Sequence, residues 1–396
     1  MKILYITASF PYGLGESFLI SEVDGLSPLC DEVIVAPLHP RGKRRLDWSP
    51  MGNVTSVESS LMSFEVALIF IFFALRSPLK ILKAIYCLVK ISNLDYKLLK
   101  NLSAFPKSVW LASKALDVKA DHIHAHWGGV TSTAGMLASI ISGKPWSLTC
   151  HRWDIYENNL LSAKSRSSKF IRFISSRGLV DSFHFGVDAD RAIVIPMGVP
   201  IEATLPKTAL IRAIPVILCA ANLIEVKGHK YLLSALDLLK KKGIAVALIL
   251  AGEGPLENSL KVMSKELGIE EMVHFVGNLP HAKILDMYRN NEVDIFVLPS
   301  IDLGGGLHEG VPVSLMEAMS FGVPSISTNT GSINDLIPVS LNLTVEHKNS
   351  RQLAERIEEL ISNKNYYFAS SISMHKIIKA NWSSDSSANA LYLAMR

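Results

Sequence analysis

Short apolar runs rich in β-branched residues alternate along the chain with longer stretches whose apolar residues recur every three or four positions. The first pattern predicts buried strands and the second amphipathic helices; their alternation predicts an α/β protein built on parallel sheets. The predicted front-half strands are Ile3–Thr7, Val33–Pro37, Ile123–His126, Ser147–Cys150 and Ile193–Pro196. Those of the back half are Val216–Ala220, Val246–Ala251, Val273–Val276, Asp294–Pro299 and Pro324–Thr328, with helices predicted over Gly228–Lys241, Leu256–Leu267, Ala282–Asn290 and Val313–Phe321. Between the two series, Pro196-Met-Gly-Val-Pro200 and the polar stretch to Arg212 break both periodicities and read as a linker. The expectation is two Rossmann-like domains, 1–205 and 206–381, facing across a cleft lined by loops at the carboxyl ends of the strands. A terminal helix over 382–396 is expected to pack back on the first domain.

A chain of 396 residues with 49% hydrophobic residues can fill two such cores. Charge is uneven: residues 1–205 hold 22 Lys/Arg against 17 Asp/Glu, and the remainder 18 against 19. A basic front half points to an anionic surface or substrate. Nucleic acid is not the expected partner, because no zinc-ligand, aromatic–basic or helix-turn-helix pattern is present. Cys30, Cys87, Cys150 and Cys219 have no paired spacing and read as reduced, buried thiols. The first strand begins at Lys2 with no basic leader before it, so a cytoplasmic protein is expected.

Residues 64–89 stand apart. The apolar run Val66–Leu75 is about half a bilayer span and is interrupted by Arg76 and Pro78. Beyond it, Lys80, Lys83 and Lys90 share one face of a helix whose other faces carry Leu79, Ile81, Leu82, Ile85, Tyr86, Leu88 and Val89. Two readings fit: an interfacial helix on an anionic membrane, or a helix packed on the front sheet with a solvated lysine stripe.

The densest chemistry lies in Glu309-Gly-Val-Pro-Val-Ser-Leu-Met-Glu317, which follows a strand end and opens an apolar helix that stops at Gly322. A helix starting near Val313 offers the amides of Val313 and Ser314 and a partial positive charge to a diphosphate. Acids flanking an anion site suit hydroxyls, so a sugar on one side and a ribose on the other fit Glu309 and Glu317.

This Glu-x7-Glu segment, with its Glu-Ala-Met-x3-Gly-x-Pro continuation, resembles the retaining glycosyltransferases of family 4, which have the GT-B fold. The likeness to the family extends through Ala221-Asn222 with Lys227-Gly228 and through His151-Arg-Trp-Asp154, and Phe10-Pro-Tyr-Gly13-Leu-Gly15-Glu16-Ser17-Phe18 resembles the start of its polysaccharide-assembling members. It implies that Glu309 contacts the transferred sugar, that Lys227 binds the diphosphate and that Glu317 binds the ribose. His151 would face the donor sugar, and Gly13, Gly15 and Asn222 would lie on the nucleotide. Gly277 and Asn278 would border the base, and Asp154, Glu16 and His126 the acceptor side. Two departures matter. Asn222 stands where the family carries arginine, and Pro312, which lacks an N–H, where many members carry glycine. The implied function is transfer from a nucleotide sugar to a saccharide acceptor, lipid-linked in surface or exopolysaccharide assembly, with no metal or other cofactor. A nucleotide-sugar 2-epimerase and a non-catalytic nucleotide-sugar-binding protein are the alternatives. His122, His124 and His126 alternate on one strand and mimic a metal site, but no carboxylate or cysteine in that stretch completes it.

Overall fold

The computed structural model describes all residues except 14, 46, 47, 51, 93, 94 and 202–211. The chain divides into two units, Met1–Gly198 with Ser384–Arg396, and Val199–Ser383. The boundary expected at 205/206 and most of the expected linker lie outside the described residues.

The first unit holds a seven-stranded sheet: β1 (Lys2–Thr7), β2 (Glu32–Pro37), β3 (Val54–Ser56), β4 (His122–His126), β5 (Trp146–Cys150), β6 (Ile171–Phe173) and β7 (Ala192–Val194). All neighbours are parallel, in the order β3-β2-β1-β4-β5-β6-β7. Every residue of β4 and β5 is buried. The sheet reverses its direction of growth between β1 and β4, and the loops that follow those strands meet there.

The second unit holds β8 (Val216–Ala220), β9 (Ala247–Ala251), β10 (Val273–Gly277), β11 (Ile295–Leu298), β12 (Ser325–Thr328) and β13 (Thr344–Val345), all parallel, in the order β10-β9-β8-β11-β12-β13. Growth reverses between β8 and β11, so the segments after these two strands flank the switch point. The predicted helices form over His229–Lys241, Glu257–Glu266, His281–Arg289 and Val313–Ser320. β3, β6 and β13 were not predicted; at two or three residues they are too short to show a period.

The last helix, Ser384–Met395, lies on the first unit against Leu19–Leu26. A Cβ at Gly25 would sit 2.9 Å from the Ala388 Cβ, so the two helices close on a pair of small residues. Helix Pro78–Ile91 packs into the first unit's core through Ile81, Ala84 and Leu88. Among the described residues, no helix is long and apolar enough to cross a membrane.

Candidate active site

In the second unit, the chain leaves β8 through Ala221–Asn222, makes a 3-10 turn at Glu225–Lys227 and enters helix His229–Lys241 through Gly228. Gly228 has φ +68, and a Cβ there would lie 2.0 Å from the Pro299 carbonyl oxygen. Only glycine permits that approach. Beside it, the Ile301 N–H donates to the Val226 carbonyl at 2.8 Å, so the segments after β8 and β11 are laid against each other. That contact presents Lys227 to Glu309. The lysine Nζ donates to Glu309 Oε2 at 2.6 Å, and the Ser300 hydroxyl donates to the same oxygen at 2.9 Å. Both side chains are largely buried, with 19% and 12% exposure. The backbone is packed closely too: a Cβ on Gly331 would come within 1.8 Å of the Glu309 carbonyl oxygen, so any side chain there would push the Glu309 segment away.

Glu317 lies on the second turn of helix Val313–Ser320, and its Oε1 accepts from His281 Nε2 at 2.7 Å, at the start of the helix after β10. Pro312 is the residue before this helix, where a missing N–H costs no helical bond, and the first-turn amides of Val313 and Ser314 have no intrahelical acceptor. The loops after β8, β9 and β10 are also joined. Gly252 N–H donates to the Gly277 carbonyl at 2.8 Å, Asn278 N–H to Glu253 Oε1 at 3.4 Å, and Leu223 N–H to the Glu253 carbonyl at 2.9 Å. Thus Lys227, Asn222, Gly277, Asn278, Glu309, Val313 and Ser314 all belong to segments at the carboxyl edge of one sheet.

His229, directly after Lys227-Gly228, is buried with no hydrogen-bond partner at either ring nitrogen. Burial first, and then the Lys227 charge, push its pKa down to about 4. The folded state therefore holds this imidazole neutral while the unfolded chain protonates near 6.5, so stability is full above about pH 6.5 and falls as pH drops towards 4. Relative to His229→Leu, the wild type should lose up to about 3 kcal/mol between those limits. Chemical denaturation at several pH values measures this, and parallel profiles for the two proteins would contradict it.

In the first unit, Glu16 is buried and its oxygens serve the loop after β1. They accept from the N–H groups of Ser9 and Phe10, each at 2.6 Å, from Ala8 N–H at 3.2 Å, and from the Trp127 indole. Glu16 thus shapes this loop by accepting from the protein's own donors. Gly13 takes φ +67, and its N–H donates to the Lys43 carbonyl at 3.0 Å; Gly15 has open space where a Cβ would stand.

Asp154 likewise faces inward, accepting from the His151 N–H at 2.8 Å. Burial outweighs the amides of His151 and Gly128 and pushes its pKa up to about 6. It closes the start of helix Arg152–Glu157 and so fixes His151. Lys164, fully buried, holds the adjoining loop by donating to the carbonyls of Gly128 and Gly129, both at 2.7 Å.

His126 and His151 form the centre of a buried chain of hydrogen bonds. Their Nε2 atoms are 2.8 Å apart, and His126 Nδ1 lies 2.8 Å from the Tyr5 hydroxyl. Tyr5 in turn donates to Glu22, whose other oxygen accepts from Arg172 at 2.6 Å. With Tyr5 donating to Glu22, its oxygen accepts from His126 Nδ1–H. The Nε2 atoms of His126 and His151 form the next link of the chain. Burial, then the neighbouring His126 and Arg172, hold the His151 pKa well below its ordinary value, in keeping with a neutral ring. Burial alone would raise the Glu22 pKa, but Arg172 and then the hydrogen bonds from His126 and Tyr5 hold it well below the carboxylate range. His126 is thus a buried relay residue.

The expected lack of a carboxylate near the strand histidines is corrected. Glu22, from a distant helix, comes within 4.8 Å of ligand atoms on His124 and His126. However, Arg172 and Tyr5 bond to Glu22, and Ser147 and Thr149 lie 2.8 and 3.0 Å from the two nitrogens of His124. The donor set is that of a satisfied polar network. A cavity of about 580 Å³ in the same unit, lined by Ile91, Leu160, Leu161, Arg166 and Phe185, includes none of the predicted site residues.

Tyr5, Glu22, Arg172, Ser300 and His281 belong to no motif. The one visible signal is Arg172, a lone charge inside the apolar run Phe170-Ile171-Arg172-Phe173-Ile174, which requires a buried partner.

Residues 203–381 match the family of glycosyl transferases, group 1. The chain is 29% identical over 254 residues to a protein of Escherichia coli K12 named as a colanic acid biosynthesis glycosyltransferase, covering 61% of this chain and 62% of that one. It is 26% identical over 225 residues to a GDP-mannose-dependent alpha-(1-6)-phosphatidylinositol monomannoside mannosyltransferase of Mycobacterium tuberculosis, covering 56% and 57%. The matches therefore span less than two thirds of these relatives' lengths. In structure it is similar to Anabaena HepE, solved in complex with UDP, with TM-score 0.71 at 15% identity over 99% of this chain and 98% of that one, a likeness of fold. The chain therefore has the GT-B fold, its second unit is a domain of the group 1 glycosyl transferases, and it resembles the enzymes of surface-polysaccharide biosynthesis.

Proposed function

We propose that the chain transfers a sugar from a nucleoside diphosphate to a saccharide acceptor, with retention at the anomeric carbon, and that the acceptor is carried on a lipid at the cytoplasmic face of a membrane. The observation that carries this reading is the Lys227–Glu309 pair at the switch point of the second sheet. As the glycosidic C–O bond stretches, negative charge grows on the departing diphosphate. Lys227 and the amides of Val313 and Ser314 are the groups that stabilise it, with the protein supplying the cation. Lys227 and Ser300 both hold Glu309 Oε2, which fixes the carboxylate plane for a donor hydroxyl. Glu317 takes the ribose hydroxyls. A phosphate oxygen of the leaving group accepts the acceptor's proton on the same face, which gives retention.

The relatives' names support the donor and acceptor classes: one carries GDP-mannose and phosphatidylinositol in its name, and a structural neighbour was solved with UDP. The test is incubation of the full chain with a nucleotide-sugar panel and lipid-linked saccharides, followed by NMR of the product's anomeric centre. The expected result is nucleoside diphosphate released only with acceptor, and a product of unchanged anomeric configuration. Isomerised sugar released without acceptor would make the chain an epimerase, and donor binding without turnover across the panel a binding protein.

A further inference from the structure

Helices Phe64–Arg76 and Pro78–Ile91 each bury one narrow face. The first buries Val66, and the second Ile81, Ala84 and Leu88. At about 100° per residue, Phe64, Leu68, Ile71, Phe72 and Leu75 form one stripe on the side opposite Val66, and all five are exposed. Leu79, Leu82, Tyr86 and Val89 form the matching stripe on the second helix, with 45–80% exposure. Lys83 and Lys90 border that stripe directly, Lys80 stands one step further round, and Arg76 closes the first helix. From 66 to 94 the sequence contains four cations and no acid.

Nine large apolar side chains turned outward exceed the scattered exposure ordinary for a surface. Their occupant follows from the charge. A second copy of this chain docking through the same face would set its four cations against four more, whereas an anionic lipid surface neutralises them and accepts the apolar stripe between headgroups. We propose that these two helices form a platform lying in the interface of a membrane that carries anionic lipid, with Leu68, Ile71, Phe72, Leu75, Leu79 and Leu82 entering the acyl boundary and Arg76, Lys80, Lys83 and Lys90 on the headgroups. At 13 and 14 residues the helices lie along the surface and do not span it. This inference stands on exposure and charge alone, apart from any glycosyl transfer.

Co-sedimentation of the full chain with vesicles of phosphatidylcholine plus phosphatidylglycerol, against phosphatidylcholine alone, tests it. Binding is expected only with the anionic vesicles and should weaken as salt rises. Each lysine removed should weaken it about fivefold, and Lys80→Glu/Lys83→Glu/Lys90→Glu should abolish it. Leu75→Ser/Leu79→Ser/Leu82→Ser should abolish it too, with far-UV circular dichroism and melting temperature unchanged because all six side chains are exposed. Equal sedimentation of wild type and both variants would overturn the proposal. So would a concentration-dependent dimer that the serine variant dissolves while the wild type ignores vesicles.

Discussion

Glu309→Gln should lower kcat/KM for sugar transfer by about 30- to 900-fold, with Lys227→Ala falling in the same range, a loss of about 2–4 kcal/mol of transition-state stabilisation each. The reason is geometric. The two side chains are already 2.6 Å apart, and Ser300 bonds the same Glu309 oxygen, so either group acts without reorganising. Because the pair is one unit, the double variant should cost little more than the worse single one. Steady-state rates with saturating acceptor measure this; both single variants within threefold of wild type would remove the pair from catalysis.

The second large effect concerns stability. Arg172→Met leaves Glu22 buried against Tyr5 and His126 without its cation, and should cost about 3–5 kcal/mol. Arg172 also donates to the carbonyls of Ile195 and Pro196 and to the Ser387 hydroxyl, so it ties β6 to the end of the first unit's chain and to the terminal helix. For a unit of this size the melting temperature should fall by roughly 6–20 °C. Calorimetry decides it. Adding Glu22→Gln to the variant should recover part of the loss, since the stranded charge is then gone. A single-variant shift below about 2 °C would show that the pair contributes little.

Much of the fold was legible because doubly covered parallel strands are largely apolar, as Ile3–Ile6 and Val216–Ala220 are. The segments that escaped, β3, β6 and β13, are held by neighbours' ladders and by few residues of their own. In the second unit, Glu309 and Glu317 stood out because two acids flank a helix start that suits an anion, and Lys227 because its Lys-Gly pair resembles the family's. Their immediate partners, Ser300 and His281, could not be read, since contacts between sequence-distant loops leave no period.

In the first unit the outcome differs. Glu16, Asp154 and His126, which the family resemblance puts on the acceptor side, are buried, and each shapes the loops or relay around His151. A motif marks which residues matter to a site without saying which of them touch the ligand. The relay behind His151 depends on Glu22 and Arg172, 150 positions apart, which only the fold brings together.

The central claim is that Lys227 meets a diphosphate at the switch point of the second sheet. Calorimetric titration of UDP and GDP into the wild type and Lys227→Ala tests it without any acceptor. One nucleoside diphosphate should bind the wild type at one per chain, and Lys227→Ala should bind it at least tenfold more weakly, about 1.4 kcal/mol. Equal affinity of the two proteins, or no binding of either nucleotide to the wild type, would contradict the account.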